Sequence, residues 1–531
     1  MREIRTHFKS GFSKTRMSKS RSIINSLPIQ DFNLALDHFG LEKAWYSVLA
    51  THLHRLERAD LKYILNEKEF KNIEIQSVDF LAGLSVGEIS VLYEYSLAYM
   101  DRDKRKEEGQ YFTPDDIAQV MAKKARSFPK NKIWIDPCCG VGNLSFWLIK
   151  CHENQEEFLK KYLYLIDRDP LALFIARFIL AVHFQKNDAR LFYTIKSRFV
   201  VADFLRSDAI PKHDYAILNP PYVMVEPDMR FETASARDLY AYFLERVIKT
   251  SSGFVSITPQ TFTNGQKFSA LRKLLLNNFN AIDVYCFDNV PDNIFRGIKF
   301  GSKNTNTVNS TRAGIIVAKQ GGDKKTFRIT PLLRWRVRER QKFLDSVDDF
   351  LVQIKPTEDM FPKLQKNLLS LYDMAKKQGK TLMHFISPRP TQYKLIVPST
   401  PRYFISALKR SVERSSFKTL YFYNEKEMDI AYVLLNSSYM YWWWRVNDGG
   451  MTISEKTLLT LPVMNGISVK QNLLRKMELS EKTNCVVKRN AGKDNENVKH
   501  DASLVREITK GLFPRFAIAL ERVHNNSVIS L

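Results

Sequence analysis

Cysteine is scarce in this chain. Cys138, Cys139, Cys151, Cys286 and Cys485 are spread over 531 residues. Their number is odd and their spacing fits no zinc pattern. A reducing, cytoplasmic setting is expected, without a bound metal. The histidines are scattered; His52 and His54 lie close, but no cysteine or carboxylate completes a metal motif around them. Long apolar runs are also missing: none is long enough to cross a bilayer, so no membrane partner is expected. Met1 to Ser22 is basic and Ser-rich with no apolar stretch behind it, which argues against a secretory signal; a transit peptide shares that composition, and a disordered basic arm is the better reading. Acidic residues are outnumbered: 57 Asp and Glu face 81 Lys and Arg, a net charge of +24. A basic surface of this size attracts polyanions, nucleic acid first among them. Acidic membrane surfaces are the alternative, but no basic amphipathic helix with a clean apolar face stands out.

The length calls for about two to four domains. From Phe32 to Met100, apolar residues recur at helical spacing with almost no Gly or Pro. A charged break, Asp101 to Glu108, follows. Then short apolar runs alternate with helical patterns: Ile133–Ile135, Leu163–Ile166, Phe199–Val201, Tyr215–Leu218, Gly253–Ile257, Ile282–Phe287 and Gly314–Ala318. This alternation predicts an α/β, doubly wound parallel sheet. It ends near Gly321–Lys325. Beyond, Arg334, Arg336, Arg338 and Arg340 alternate like an exposed strand face, and aromatics become dense, with Trp442, Trp443 and Trp444 consecutive. Core packing suits at least one of these tryptophans. From Ser468 to Leu531 the pattern is helical around a polar segment, Lys488–Lys499. The expected division is 1–105, a basic arm and helical region; 106–325, the α/β domain; 326–467, a distinct third domain; and 468–531, a helical and polar extension.

The first motif is Asp136-Pro137-Cys138-Cys139-Gly140-Val141-Gly142-Asn143, running from a strand into a helix. Gly140 and Gly142 allow a tight turn and a close ligand. The following helix N-terminus offers free N–H groups, which suit the carboxylate of a methionine moiety as well as a phosphate. Asp167 ends the next strand, where an acid accepts from ribose hydroxyls. Asp203 follows the third strand and could accept from an adenine amino group. Thr113, before Pro114, is a plausible helix N-cap or a contact for the methionine end of the same ligand.

The second motif, Asn219-Pro220-Pro221-Tyr222, directly follows the strand Tyr215–Leu218. The prolines stiffen the turn and hold Asn219 at the sheet's C-terminal edge, where such folds bind ligands. An exocyclic amine on a heteroaromatic ring is a poor nucleophile, because its lone pair is delocalised. Two acceptors, the Asn219 side-chain oxygen and the Pro220 carbonyl, can bind its hydrogens and localise that lone pair. Tyr222 could stack on the ring.

Together these motifs resemble the N6-adenine DNA methyltransferases of restriction–modification systems, in the class ordered cofactor motif, catalytic motif, recognition domain. The resemblance covers about Gly109 to Pro462. Asn219 to Tyr222 matches the catalytic tetrapeptide without change, and Asp238-Leu239-Tyr240 matches the helix after it. Asn436-Ser437-Ser438-Tyr439 through Arg445 is similar to a segment of the family's recognition domains. Cys138-Cys139 and Val141 depart from the family's Ala-Cys and Thr or Ser. The resemblance implies a Rossmann-like fold that uses S-adenosylmethionine. It implies Thr113, Asp136, Gly140, Gly142, Asp167 and Asp203 at the cofactor, and Asn219, Pro220 and Tyr222 at a flipped adenine in double-stranded DNA. It also implies a bacterial or phage origin, a target-recognition domain at 326–467, and a second aromatic against the base, for which Phe300 is the candidate. A separate cognate endonuclease stays open. So do a type I-like modification subunit, a fused restriction–modification enzyme, and an RNA or protein-glutamine methyltransferase.

Overall fold

The structure is a computed structural model, and it describes residues 29–101, 113–289, 292–295, 311–322, 324–401, 403–448, 452–490 and 493–524. Thr113 falls within it. Phe300 and Gly109–Phe112 lie outside the described residues.

The chain forms two compact units, interleaved in sequence. The first comprises Met1–Gln260, Lys267–Arg328 and Trp335–Asp349; the second comprises Thr261–Gln266, Ile329–Arg334 and Phe350–Leu531.

The first unit opens with helices α1 (Ile29–Arg55) and α2 (Val86–Met100). A capping box starts α2: Ser85 Oγ accepts from Glu88 N, and Glu88 returns the bond to Ser85 N. After α3 (Asp115–Ala125), every expected apolar run becomes a strand: β1 (Trp134–Asp136), β2 (Leu163–Asp167), β3 (Phe199–Val201), β4 (Tyr215–Leu218), β5 (Gly253–Pro259), β6 (Ala281–Phe287) and β7 (Ala313–Lys319). Between them run α4 (Asn143–Lys150), α5 (Pro170–Phe184), α6 (Leu239–Thr250) and α7 (Ser269–Asn278). The strand order is β3-β2-β1-β4-β5-β7-β6. Strands β1 to β5 pair in parallel, and β7 runs antiparallel between β5 and β6. Every residue of β4 and β5 is buried, as expected of strands covered on both faces. From β1 the chain winds outward through β2 and β3; from β4 it winds the other way. With right-handed crossovers this places helices on both faces and opens a crevice where the order reverses, beyond the C-terminal ends of β1 and β4. At the other end of these strands Phe128, Trp134 and Tyr215 pack as a triad, with centroids 4.9–5.2 Å apart. Gly253 begins β5 there because a Cβ would stand 2.6 Å from the Ala318 carbonyl oxygen.

Strand β8 (Thr326–Leu333) is divided between the units, and α8 (Arg340–Asp345) returns to the first. The second unit holds a hairpin of β9 (Lys394–Pro398) and β10 (Phe417–Tyr421), then α9 (Glu425–Leu435) and α10 (Ser438–Asn447). The consecutive tryptophans lie in α10, and all three are buried; the packing reading therefore holds for each. Tyr439 stacks on Phe513 at 4.4 Å, and Tyr441 on His524 at 4.6 Å. Helix α11 (Gln471–Thr483) precedes a hairpin, β11 (Cys485–Asn490) with β12 (Lys493–Val498), where a polar segment was expected. Helices α12 (Ala502–Leu512) and α13 (Ala517–His524) follow. The exposed face expected for the arginine series is half right. Arg336 and Arg338 are exposed, but Arg334 and Arg340 are 4% and 2% exposed. The alternation comes from a chain leaving β8 for a short helix, not from a strand. Among the described residues no helix is long and apolar enough to cross a membrane.

Candidate active site

The turn after β1 carries Gly140 at φ +52° and Gly142 at φ +87°. A Cβ on Gly142 would be strained in that left-handed conformation and would meet the Ala176 Cβ at 3.2 Å. The turn thus presses against α5 and leads straight into α4.

The end of β2 answers this turn. Asp167 Oδ2 accepts from Gly140 N at 2.8 Å, and Oδ1 accepts from Asp169 N at 3.0 Å. Burial raises the Asp167 carboxyl to about 6, against the lowering effect of these two N–H groups. Asp169 caps α5 and takes a 2.6 Å bond from the Tyr93 hydroxyl of α2. Asp203 is exposed, accepts from Leu205 N, and lies 3.7 Å from Arg206.

After β4, Asn219 sits in a chain of hydrogen bonds. Its Nδ2 donates to Thr113 Oγ1 at 2.9 Å. Its Oδ1 accepts from the Tyr222 hydroxyl at 2.6 Å, and that hydroxyl also lies 3.0 Å from the Ile257 carbonyl. Thr113 is anchored in turn by Asn143 Nδ2, which donates to its carbonyl at 2.7 Å. The Cys138 thiol donates to the Asn219 carbonyl at 3.4 Å, and burial pushes that thiol up. The hydroxyls of Thr113 and Tyr222 therefore hold the two ends of the carboxamide, while Cys138 holds the backbone behind it.

A cleft of about 400 Å³ joins these groups, within the range of small-molecule sites. Thr113, Gly140, Asp167, Asp203 and Asn219 all line it. Gly142 shapes the turn beneath it. Asp136 is not on its wall: it is fully buried, Ser145 Oγ donates to its Oδ2 at 2.9 Å, and burial raises it to about 7. Pro220 is buried behind Asn219, while Pro221 lines the cleft. Tyr222 is half-buried, with its ring edge-on to Tyr240 and Phe295 at 6.2 and 6.0 Å.

Sequence reasoning missed several participants. Ser90, Tyr93 and Glu94 bring α2 to the cleft wall, although their helical spacing was plain. Phe204, directly after Asp203, and Phe243 of α6 form an apolar flank, with rings stacked at 5.5 Å. Phe295 faces Tyr222, five positions before the aromatic named from the sequence.

Residues 86–304 match the family described as N-6 DNA Methylase. That stretch holds the strands β1 to β6 and the turns after β1 and β4, so the likeness covers the cleft and leaves the rest of the chain outside it. The type II methyltransferase M.PstI of Providencia stuartii is 24% identical over 225 residues, covering 38% of this chain and 42% of that protein. The type II methyltransferase M.VspI of Vibrio sp. (strain 343) is 27% identical over 202 residues, covering 36% and 46%. The match thus spans less than half the length of either relative. Among solved structures, the type IIG restriction endonuclease BpuSI is similar at TM-score 0.48 and 11% identity, over 95% of this chain and 79% of that one. The type IIL restriction–modification enzyme MmeI is similar at TM-score 0.44 and 13% identity, over 97% and 91%.

Proposed function

We propose that the chain is a site-specific DNA methyltransferase that moves a methyl group from S-adenosylmethionine to N6 of a flipped adenine, as the modification enzyme of a restriction–modification system. The observation that carries this reading is the Asn219 carboxamide, held between Thr113 and Tyr222 on the same cleft as Gly140, Asp167 and Asp203.

The donor set suits this cofactor. Gly140 leaves open space where a Cβ would stand. Asp167 and Asp203 are acceptors for ribose hydroxyls and an adenine amine, and Phe204 and Phe243 supply apolar faces for a ring. Asp136 supports the turn from beneath through Ser145. When bound, the cofactor supplies an electrophilic methyl group.

The chain's own residues do the rest. Thr113 fixes the rotation of the carboxamide so that Oδ1 faces the Tyr222 hydroxyl. Asn219 Oδ1 and the Pro220 carbonyl accept the two hydrogens of the target amine and localise its lone pair. The Tyr222 hydroxyl gives up Oδ1 when the amine arrives and keeps the Ile257 carbonyl. Its ring then packs on the base, with Phe295 as the second aromatic. The surplus proton leaves the methylated amine after transfer, so no strong base is needed.

Flipping costs a few kcal/mol of unstacking, which phosphate contacts from the basic surface offset. We assign sequence recognition to the region 326–467, with exposed residues such as Arg336 and Arg338 better placed for DNA than the buried tryptophans. A cognate endonuclease would be a separate protein.

Incubating the protein with duplex DNA and labelled S-adenosylmethionine, then digesting to nucleosides for mass spectrometry, tests this reading. N6-methyladenine is expected. Methylcytosine as the main product, or no labelled nucleoside, overturns it.

A further inference from the structure

The guanidinium of Arg340 joins two parts of the first unit that are far apart in sequence. The side chain is 3% exposed. Its Nε and Nη2 form a bidentate pair with Asp116, at 2.5 and 3.0 Å. Its Nη1 donates to the Asn293 carbonyl at 2.9 Å, and its Nη2 donates to the Ile294 carbonyl at 2.8 Å. Asp292 completes the set at 3.5 Å, and is itself bonded by Trp335 Nε1 at 2.8 Å. Arginine alone offers a planar fork of donors that can serve a carboxylate and two carbonyls at once.

What lies at each end of this fork gives it meaning. Asp116 is the second residue of α3, three positions after Thr113, whose hydroxyl holds Asn219. The neighbouring Asp115 ties the same helix start to α2 and α4, accepting from Ser85 Oγ at 2.6 Å and from Trp147 Nε1 at 3.0 Å. The other end grips the backbone immediately before Phe295, whose ring faces Tyr222. A buried ion pair adds little net stability over well-packed apolar side chains. Its geometric effect is specific: one rigid group sets the spacing between the Thr113–Asn219 arm and the Phe295 wall.

We propose that Arg340 is a positioning residue for methyl transfer, which holds Phe295 at stacking distance from a base seated on Asn219. The inference rests on the reading of the cleft as a target-adenine site. Arg340 touches neither substrate nor cofactor; it acts through Asn293, Ile294 and Asp116.

Arg340→Lys keeps the charge but cannot serve Asp116 and both carbonyls together. The full-length variant is compared with the parent on unmodified DNA for kcat, and on DNA with 2-aminopurine in place of the adenine that the parent methylates for the fluorescence lifetime of the flipped base. The expected result is a fall in kcat of about 10-fold or more with cofactor affinity changed less than about 3-fold. The 2-aminopurine lifetime should lengthen, because a ring held less firmly between aromatics is less quenched. Asp116→Asn, which leaves the carbonyl bonds in place, should shift both readouts the same way by less, and it serves as the test if Arg340→Lys does not fold. A melting temperature that falls while kcat and the lifetime of the folded protein stay at parent values would overturn the proposal and leave Arg340 a structural tie. A parent that methylates no adenine defeats the functional reading instead.

Discussion

Asn219 and Thr113 are 106 positions apart in the chain, yet the carboxamide of one is oriented by the hydroxyl of the other across 2.9 Å. Thr113→Val keeps the shape and removes the acceptor, leaving Nδ2 without this partner. Losing such a bond costs about 1–3 kcal/mol, so kcat should drop roughly 10- to 100-fold. Thr113→Ser should recover most of it. Single-turnover kinetics check this; a Val variant with parental kcat would show that Thr113 does not orient Asn219.

Asn219→Ala should cost more. Removing a group that acts where charge develops typically lowers the rate about 100- to 1000-fold. Affinity for S-adenosylmethionine, measured by calorimetry, should stay within a few-fold, since the side chain is turned to Thr113 and Tyr222. Turnover near the parent's would refute the assignment.

Tyr222→Phe separates the two roles of that side chain. The ring stays and the hydroxyl that occupies Asn219 Oδ1 goes. The target amine then displaces nothing, so kcat/KM should hold within about 3-fold. Tyr222→Ala loses stacking worth about 1–3 kcal/mol per base and should lose more than 10-fold. Equal losses in the two variants would mean that the hydroxyl, not the ring, is what matters.

Gly142→Ala should weaken cofactor binding. The new Cβ must accept φ +87° and a 3.2 Å approach to Ala176, a strain of order 1–3 kcal/mol. Calorimetry should show an affinity loss of roughly 5- to 100-fold. Unchanged affinity would place the methionine end elsewhere.

The pH dependence of binding and of stability should run in opposite directions. Asp167 is raised to about 6, and as a carboxylate it accepts from ribose hydroxyls more strongly, and at both oxygens, than as the neutral acid. Cofactor affinity should therefore decline as pH falls through 6. For stability, a carboxyl whose folded value lies above its unfolded value of about 3.9 binds more protons when folded. Its destabilising effect sets in as pH rises from about 4 to 6 and is absent below. The same sign holds for Asp136, up to about 7. Acidifying from pH 7 to 5 should thus weaken binding without any stability loss from these two groups. Affinity independent of pH between 5 and 8 would remove Asp167 from the ribose.

The centre of the sheet was legible because parallel strands buried on both faces read as continuous apolar runs, as β1, β4 and β5 do; the edge strand β3 and the antiparallel β7 were legible only as short apolar runs. The turns after β1 and β4 were legible because glycine and proline are chosen there for backbone geometry, which sequence states directly. Partners made through space were not. Nothing in the string shows that Thr113 meets Asn219, or that Asp136 turns inward to Ser145 while Asp167 reaches the cleft. Arg340 misled because alternating arginines look alike whether solvated or buried; only the fold supplies Asp116 and two carbonyls to one of them. Phe295 was obscured by the polar run that follows it, which hides where the last strand begins.

The burial of Trp442, Trp443 and Trp444 in one helix has a spectroscopic consequence. They are the only tryptophans of the second unit; Trp45, Trp134, Trp147 and Trp335 belong to the first. Indole emission from this helix is shielded from water and should be blue, with energy exchange among adjacent rings. A red shift that tracks α10 would then time the opening of the second unit on its own, and replacing the four tryptophans of the first unit with phenylalanine would leave an intrinsic reporter needing no added dye.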